Sequence, residues 1–472
     1  MLFSNFFQWR VTNHNLIVPD DTKYQFSISL SSIFKPDLAM KLKPTIITLI
    51  ISMIVLSFCS TVQKTSESWI SYGSPVEEGF NSDSLKKIDA FVSEMIEKGK
   101  IPGAAVLIAR NGKVVYHNAI GFQDKETGAV LDTNDIFRIA SMSKPVVSVA
   151  IMQLVEKGLI NLSDPVSKFI PSFANPKVLE TFIKEDTTWT ARAATSEITI
   201  HHLLTHTSGI GYSFTSRSIS PIYSKFRIPD LANPSDLTIG AVTEKLGALP
   251  LIFDPGSRYM YGLSIDVLGR VVEVASGMTL GEYVEKNIAG PLKMTDTKFF
   301  FDSDVSDRLT TVYSVDPSNR KIISSRETGM TNTVDYPISG AKKYFSGGSG
   351  LCSTPRDYFI FSQAILNGGI YNGIRILNEE TVAMMTSDQL GELRWSDIST
   401  FGYGFTVERE RNADGSPGNV VNLGWAGAFN TWFTINPTDE VVAIIMSQVF
   451  FNPYEQELIG NFRKAISASL VK

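Results

Sequence analysis

Residues 141–158 read SMSKPVVSVAIMQLVEKG, and this stretch predicts a buried helix with a serine and a lysine at its start. Proline is tolerated in the first turn of a helix, so Pro145 places Ser141 at or beside the helix N-terminus. The run is apolar nearly all round, which predicts burial, and Gly158 is the expected stop. Residues three apart share a helix face, so Lys144 can reach the Ser141 hydroxyl.

A serine and a buried lysine in this arrangement can support nucleophilic chemistry. A buried amine can take or relay a proton, and the positive end of the helix favours charge that develops on the serine oxygen. Ser-x-x-Lys alone also arises by chance, and a capping serine beside a lysine that reaches solvent is the ordinary alternative. The rest of the chain has to decide between these two interpretations.

Both ends of the chain carry the pattern of a sheet and its covering helices. Residues 81–98 have helical spacing, with Gly99 as the expected stop, and two β-rich runs then flank an Asn111-Gly112 turn that predicts a hairpin. The other expected strands and a closing helix lie at 403–407, 420–423, 431–435, 441–446 and 459–470.

These patterns predict an α/β (α+β) fold, with an antiparallel β-sheet flanked by helices and built from both chain ends. The α/β lobe is expected at about 66–140 and 341–472, and a mostly helical lobe at about 141–340 is inserted between its two parts. Polar stretches inside the insertion, such as residues 185–197, are expected to be loops. Residues 66–472 would then form one domain with its site in the cleft between the lobes.

The composition narrows the function classes. The 472 residues include 43 Lys and Arg against 48 Asp and Glu, a net charge of −5, which gives no electrostatic footprint for nucleic acid. Cys59 and Cys352 are too few for a disulfide framework or a cysteine-rich zinc module. An apolar fraction of 43% indicates a large packed core.

Residues 1–65 are interpreted as an N-terminal extension followed by a signal peptide or membrane anchor. Its apolar core, 44–60, carries no charge, follows Lys41 and Lys43, and is short for a bilayer span. Read from Met40, the sequence has the form of an ordinary signal peptide, so residues 1–39 are expected to reflect an upstream start assignment.

Cys59 ends the string Leu56-Ser57-Phe58-Cys59, which resembles a bacterial lipobox and makes Cys59 a lipidation candidate, although Phe58 stands where a small residue is usual. The alternative is an uncleaved anchor helix with an incidental cysteine. Either interpretation predicts a cell-envelope, extracytoplasmic protein that is membrane-anchored or secreted.

Four further strings stand in order along the chain. They are HHLLTHTSG at 201–209, DPGSRYMYGL at 254–263, GGSGLCST at 347–354 and NLGWAGA at 422–428. Together with Ser-x-x-Lys, they resemble the serine β-lactamase-related family, in its branch of class C β-lactamases, DD-peptidases and family VIII carboxylesterases. The resemblance covers about 75–472 and implies a β-lactamase/transpeptidase-like fold and a serine hydrolase that works through an acyl-enzyme without a cofactor.

The resemblance also implies roles for particular residues. Ser141 would be the acylated nucleophile, Lys144 its activator, and Tyr261 the carrier of the proton between Ser141 and the leaving group. The backbone N–H groups of Ser141 and Ala428 would hold the oxyanion. Gly427 would let the strand edge approach the substrate closely.

Two substrate-binding positions depart from the family pattern. Leu263 stands where the family usually has an asparagine that binds an amide, and Trp425 where it often has a lysine that helps to hold a carboxylate. Neither side chain can replace those contacts, and Trp425 offers an apolar wall instead. Small esters are therefore the expected substrates.

Other functions stay open at this stage. A D-Ala peptidase or penicillin-binding protein, a weak β-lactamase, and a non-catalytic acylated receptor or sensor in the envelope are the alternatives. The expected partners are a small-molecule ester, amide or β-lactam and, through the N-terminal segment, a membrane. No metal is expected, because His202 and His206 have the spacing of a zinc helix but lack the glutamate that follows the first histidine.

Overall fold

The computed structural model describes residues 10–12, 15–17, 28–29, 69–328 and 336–471, and the chain divides into two units between residues 69 and 70. The first unit contains a small antiparallel sheet of β1 (Arg10–Thr12), β2 (Asn15–Ile17) and β3 (Ile28–Ser29). The apolar core 44–60 and Cys59 lie outside the described residues. Within the described ranges, no helix is both long and apolar enough to cross a bilayer.

The second unit alternates strands and helices along the chain. Its first third comprises β4 (Ser71–Tyr72), α1 (Ser82–Glu97), β5 (Gly103–Arg110), β6 (Lys113–Asp124), β7 (Ala129–Val130), β8 (Phe137–Arg138), α2 (Ser143–Glu156), β9 (Lys177–Ile183) and β10 (Thr188–Ala193). The middle comprises α3 (Ile200–Leu204), α4 (Ile219–Phe226), α5 (Ile239–Gly247), α6 (Ser264–Ser276), α7 (Leu280–Val284), β11 (Tyr313–Val315), β12 (Ile322–Ser324) and α8 (Ser325–Thr328).

The final third supplies the remaining strands of the large sheet. It comprises β13 (Cys352–Ser353), α9 (Pro355–Leu366), β14 (Ile370–Tyr371), β15 (Ile374–Arg375), α10 (Glu379–Met385), β16 (Ser399–Phe401), β17 (Thr406–Arg411), β18 (Pro417–Gly427), β19 (Thr431–Asn436), β20 (Val441–Met446), β21 (Val449–Phe450) and α11 (Glu455–Ser469).

One nine-stranded sheet joins the two ends of the unit. Its order is β16-β17-β18-β19-β20-β5-β6-β4, with β7 paired to β6, and β4 is the one strand in it that runs parallel to its neighbour. The early and late parts of the chain meet where β20 pairs antiparallel with β5. The predicted hairpin joins β5 to β6, and Asn111 and Gly112 both take the positive φ that such a turn requires.

Helices cover both faces of this sheet. Trp432 and Phe433 are neighbours in β19, so their side chains point to opposite faces. Trp432 belongs to a core cluster with residues of α1 and α11, while Phe433 meets Tyr358 of α9 with 4.8 Å between ring centroids. The expected antiparallel sheet flanked by helices and built from both chain ends is therefore confirmed.

The inserted segment is organised around α2 and α6, which pack against each other. Every residue of α2 from Ser143 to Leu154 is buried, as its apolar composition predicts, and Gly158 after its end has a positive φ. The expectation of a loop across 185–197 was wrong in part, because β10 forms a hairpin with β9 there. Its sequence TWTARA alternates polar and apolar residues, which is a strand signal that the polar surroundings obscured, and all six of its side chains are exposed or half-buried. The lobe boundaries stay predictions.

Phe462 of α11 is fully buried, and its ring lies 6.0 Å from that of Trp432. We expect Phe462→Ala to lower the free energy of unfolding by about 3–5 kcal/mol, because it leaves a cavity between helix and sheet. Lys464→Ala, an exposed position in the same helix, is the control. Urea unfolding followed by circular dichroism measures both; equal losses in the two variants would contradict this account of the core.

Candidate active site

Ser141 lies in a strained turn that leads directly into α2. A short 3₁₀ turn, Ala140–Met142, carries the serine, and Ala140 has a φ of +41°, which is unfavourable for a residue with a Cβ. Backbone strain of this kind costs about 1–3 kcal/mol and is typical of functional sites. Ser141 is 8% exposed, and its side chain opens onto a cavity.

The buried amine of Lys144 is held by two hydrogen bonds. The side chain is 1% exposed, and Nζ donates to Ser141 Oγ at 3.0 Å and to the Gly348 carbonyl at 2.7 Å. The amine also faces the rings of Tyr261 and Tyr212, at 4.6 and 5.6 Å from their centroids. It therefore touches the serine that the sequence analysis paired with it.

Tyr261 and Trp425 come together from distant parts of the chain. Tyr261 lies just before α6, Trp425 lies in β18, and their ring centroids are 5.3 Å apart. The Trp425 indole Nε1 donates to the Tyr261 hydroxyl at 3.2 Å. Trp425 thus contributes a hydrogen-bond donor as well as the apolar wall expected from the sequence.

The end of β18 fits closely against the turn that carries Ser141. A Cβ on Gly427 would lie 2.3 Å from both the Ile139 carbonyl and Thr431 Oγ1, so glycine is required for this packing. Ala428 follows directly, and its carbonyl accepts from the Phe451 N–H at 2.8 Å. Ser141, Gly427 and Ala428 line the same cavity. The predicted oxyanion role of the two N–H groups stays a prediction.

Leu263, predicted to bind substrate, has a buried side chain. Its side chain is 1% exposed, immediately before α6, and it is not among the residues that line the cavity. The side chain packs in the core, and its role in substrate binding stays a prediction. A motif fixes a position in the chain but not the direction of its side chain.

Asp266, in the first turn of α6, is a polar residue of the site that the sequence did not single out. The side chain is 2% exposed, one carboxylate oxygen accepts from Ser346 Oγ at 2.6 Å, and burial raises the pKa of the carboxyl. Its other oxygen lies only 2.5 Å from where a Cβ of Gly348 would be. Asp266 thus packs beneath the Gly348 turn, whose carbonyl accepts a hydrogen bond from Lys144. The sequence signal for this residue was an acidic side chain within an apolar helical run.

Two of the three histidines in the HHLLTH string, His202 and His206, have structural surroundings. His202 caps α3 through its Nδ1, which accepts from the Thr199 N–H at 3.2 Å. His206 is fully buried, with its ring 4.9 Å from that of Tyr261, and neither ring nitrogen has a hydrogen-bond partner. Across the described part of the chain, no group of three or more His, Cys, Asp or Glu could hold a metal ion.

The cavity beside Ser141 has a volume of about 420 Å³ and differs in character along its length. Tyr212, Phe214 and Phe451 contribute aromatic surface at one part of its wall. Strands β17 and β18 and helix α11 contribute polar groups at another, where Arg463 pairs with Glu408 at 3.1 Å.

Comparisons with known proteins agree with this architecture. The Beta-lactamase family model matches residues 88–463. Protein Rv1367c of Mycobacterium tuberculosis (strain ATCC 25618 / H37Rv) is 32% identical over 373 residues, which cover 76% of this chain and 88% of that protein. Esterase EstB of Burkholderia gladioli is 30% identical over 360 residues, covering 74% and 86%.

A solved structure supports the same fold assignment. It is that of EstCE1, a hydrolase with promiscuous acyltransferase activity, with a TM-score of 0.68, 27% identity, and coverage of 81% of this chain and 98% of that one. The expected β-lactamase/transpeptidase-like fold is therefore confirmed.

His206 yields a prediction for the pH dependence of stability. Burial, and secondarily the nearby Lys144 charge, holds its pKa well below the ordinary value of 6.5. In the unfolded chain the His206 imidazole binds a proton near pH 6.5, whereas in the folded protein it stays neutral at that pH. The free energy of unfolding of the wild type therefore falls as the pH drops below 6.5.

We expect His206→Phe, which keeps the ring contacts, to reduce this loss by up to about 1.4 kcal/mol per pH unit. Urea unfolding of both proteins from pH 8 to pH 5 measures it, with the interval above pH 7 as the internal control. A constant difference between the two proteins over the whole range would contradict the prediction.

Proposed function

The chain belongs to the beta-lactamase family, and from that premise we propose that it hydrolyses small carboxylic esters through an acyl-enzyme on Ser141. The family match, together with relatives that are esterases, shows that the chain is a serine hydrolase. One observation carries the assignment of the nucleophile: the Lys144 amine contacts Ser141 Oγ at 3.0 Å while facing the Tyr261 ring at 4.6 Å.

Acylation follows from this arrangement. Ser141 Oγ attacks the ester carbonyl carbon as its proton passes to the Lys144–Tyr261 pair, because a neutral hydroxyl is a weak nucleophile. The carbonyl oxygen becomes an oxyanion that the backbone N–H groups of Ser141 and Ala428 stabilise. The C–O bond to the alcohol then breaks, and the stored proton returns to the departing alkoxide.

Deacylation repeats these steps with water as the nucleophile. The same pair accepts a proton from water as the water oxygen attacks the acyl carbon, and Ser141 leaves with a proton when the acid departs. The Trp425 indole donates to the Tyr261 hydroxyl at 3.2 Å and so holds that oxygen in position for both steps.

The charges around the cavity support an ester over a β-lactam. Among the described residues that line it, Arg463 is the cation, and it is paired with Glu408. A β-lactam or a terminal D-Ala presents a carboxylate that needs a free cation, and Trp425 occupies the position where the family often supplies one. An uncharged ester needs no such partner.

An extracytoplasmic location is part of the proposal. It is supported by the uncharged apolar core 44–60 behind Lys41 and Lys43, which has the form of a signal peptide or anchor. Membrane attachment, through that segment or through a lipid on Cys59, is proposed on the same ground.

Ser141→Ala tests the nucleophile. We expect the wild-type protein to turn over p-nitrophenyl acetate and butyrate, and the variant to lose this activity by about 10⁴-fold or more, because no acyl-enzyme can form. Initial rates of p-nitrophenol release measure both. Nitrocefin and a D-Ala-D-Ala peptide are assayed in parallel; turnover of the peptide alone would overturn the proposal, and stoichiometric labelling without turnover would indicate a sensor.

Trp425→Lys tests the basis of specificity. We expect the ratio of nitrocefin to ester kcat/KM to rise, by about tenfold, because the new ammonium can bind a carboxylate. Trp425→Phe is the matched control, since it also removes the indole donor but adds no charge, and its ratio is expected to stay near that of the wild type. An unchanged ratio in Trp425→Lys would show that this position does not set specificity.

A further inference from the structure

We propose that Phe214 and Phe451 form an aromatic clamp at the cavity, which binds an aromatic or branched apolar group of the ester. The proposal rests on the proposed function and deepens it by naming a substrate class: esters in which the acyl or the alkoxy part is bulky and apolar. The two rings come from segments far apart in sequence and lie 5.9 Å apart, edge to face.

Both phenylalanine rings are exposed to water, which is unfavourable, and the packing of the fold does not explain this exposure. Phe214 and Phe451 are 58% and 57% exposed, and they are the exposed phenylalanines of the described part of the chain. Exposed apolar side chains are ordinary when scattered, but these two touch each other and line the cavity of the nucleophile. Contact with an apolar ligand would remove both from water.

Phe214 is held in place by stacking. It lies in the 3₁₀ turn Ser213–Thr215, and its ring stacks on that of Tyr212 at 4.9 Å with an interplanar angle of 11°. Tyr212 is buried and faces the Lys144 amine. The exposed ring is therefore connected to the catalytic group through one rigid aromatic neighbour.

Phe451 is held in place by a strained backbone. Its φ is +45°, a conformation that is unfavourable for a bulky residue and that glycine adopts freely. Its N–H donates to the Ala428 carbonyl at 2.8 Å, so the strain is imposed directly beside the predicted oxyanion residue. Its ring also lies 4.4 Å from that of Phe450. A phenylalanine at a position suited to glycine is consistent with a role of its ring in binding the substrate.

The character of the cavity wall favours an uncharged apolar group at this point. Leu231 lines the same cavity and adds aliphatic surface. Three charged residues line the cavity: Glu408 in β17, and Glu455 and Arg463 in α11. Glu408 and Arg463 pair with each other, and the two phenylalanine rings contact aromatic neighbours. A ring or branched chain that lies against the Phe214–Phe451 pair would thus meet the apolar surface of both rings.

The test compares matched esters. In the acyl arm, kcat/KM is measured for p-nitrophenyl acetate and p-nitrophenyl phenylacetate; in the alkoxy arm, for ethyl acetate and benzyl acetate by pH-stat. The proteins are the wild type, Phe214→Ala, Phe451→Gly and the double variant. Tyr72→Ala is the control, an exposed aromatic on β4 outside the cavity, and its preferences are expected to match those of the wild type.

We expect the wild type to prefer the bulky ester in at least one arm, and each clamp variant to reduce that preference by about tenfold or more. Because the rings touch, the double variant should lose less than the product of the single losses. Phe451→Gly removes the unfavourable φ, so its thermal midpoint should stay near that of the wild type, which separates binding from folding.

Two results would overturn the inference. One is a preference in both arms that the clamp variants leave unchanged; the other is a loss that is equal for bulky and small esters. Either can occur while ester turnover itself is intact, so the inference would fail alone. Absence of any Ser141-dependent ester turnover in the wild type would instead overturn the proposed function.

Discussion

The site depends on the burial of one amine. Lys144 is 1% exposed in a helix that is apolar nearly all round, and a buried amine is costly unless its protons are bound. The fold supplies Ser141 Oγ, the Gly348 carbonyl and the faces of two tyrosines. The contact that satisfies the amine also places it on the nucleophile, so the stability of this region and the chemistry proposed for it rest on the same hydrogen bonds.

Two close backbone contacts maintain that geometry. Gly427 brings the end of β18 against the turn of Ser141, where no side chain would fit, and Gly348 lies against the buried Asp266. The sheet, built from both chain ends, and the helix pair α2–α6 are thereby joined at the nucleophile. A shift of either contact would move a backbone group predicted to hold the oxyanion or one that binds the amine.

The sequence predicted what depends on spacing and pattern. Ser-x-x-Lys before a proline placed Lys144 one turn from Ser141, and the β-rich runs and the Asn111-Gly112 turn predicted the sheet. The burial of particular side chains was beyond it: Leu263, at the position of the family's asparagine, is buried. The Phe214–Phe451 contact was also missed, because it arises from tertiary packing between distant segments. The hairpin β9–β10 was missed although TWTARA of β10 alternates polar and apolar residues, because the stretch around it is polar and few side chains of the hairpin are buried.

Covalent labelling tests the central claim most directly. A p-nitrophenyl alkylphosphonate loses p-nitrophenol to an activated serine and leaves a stable phosphonyl adduct on its oxygen, which peptide mass spectrometry locates. The account predicts one adduct per chain, on Ser141, and its loss in a Lys144→Ala variant that remains folded by circular dichroism. An adduct on another residue, or labelling of Ser141 at the same rate without Lys144, would contradict it.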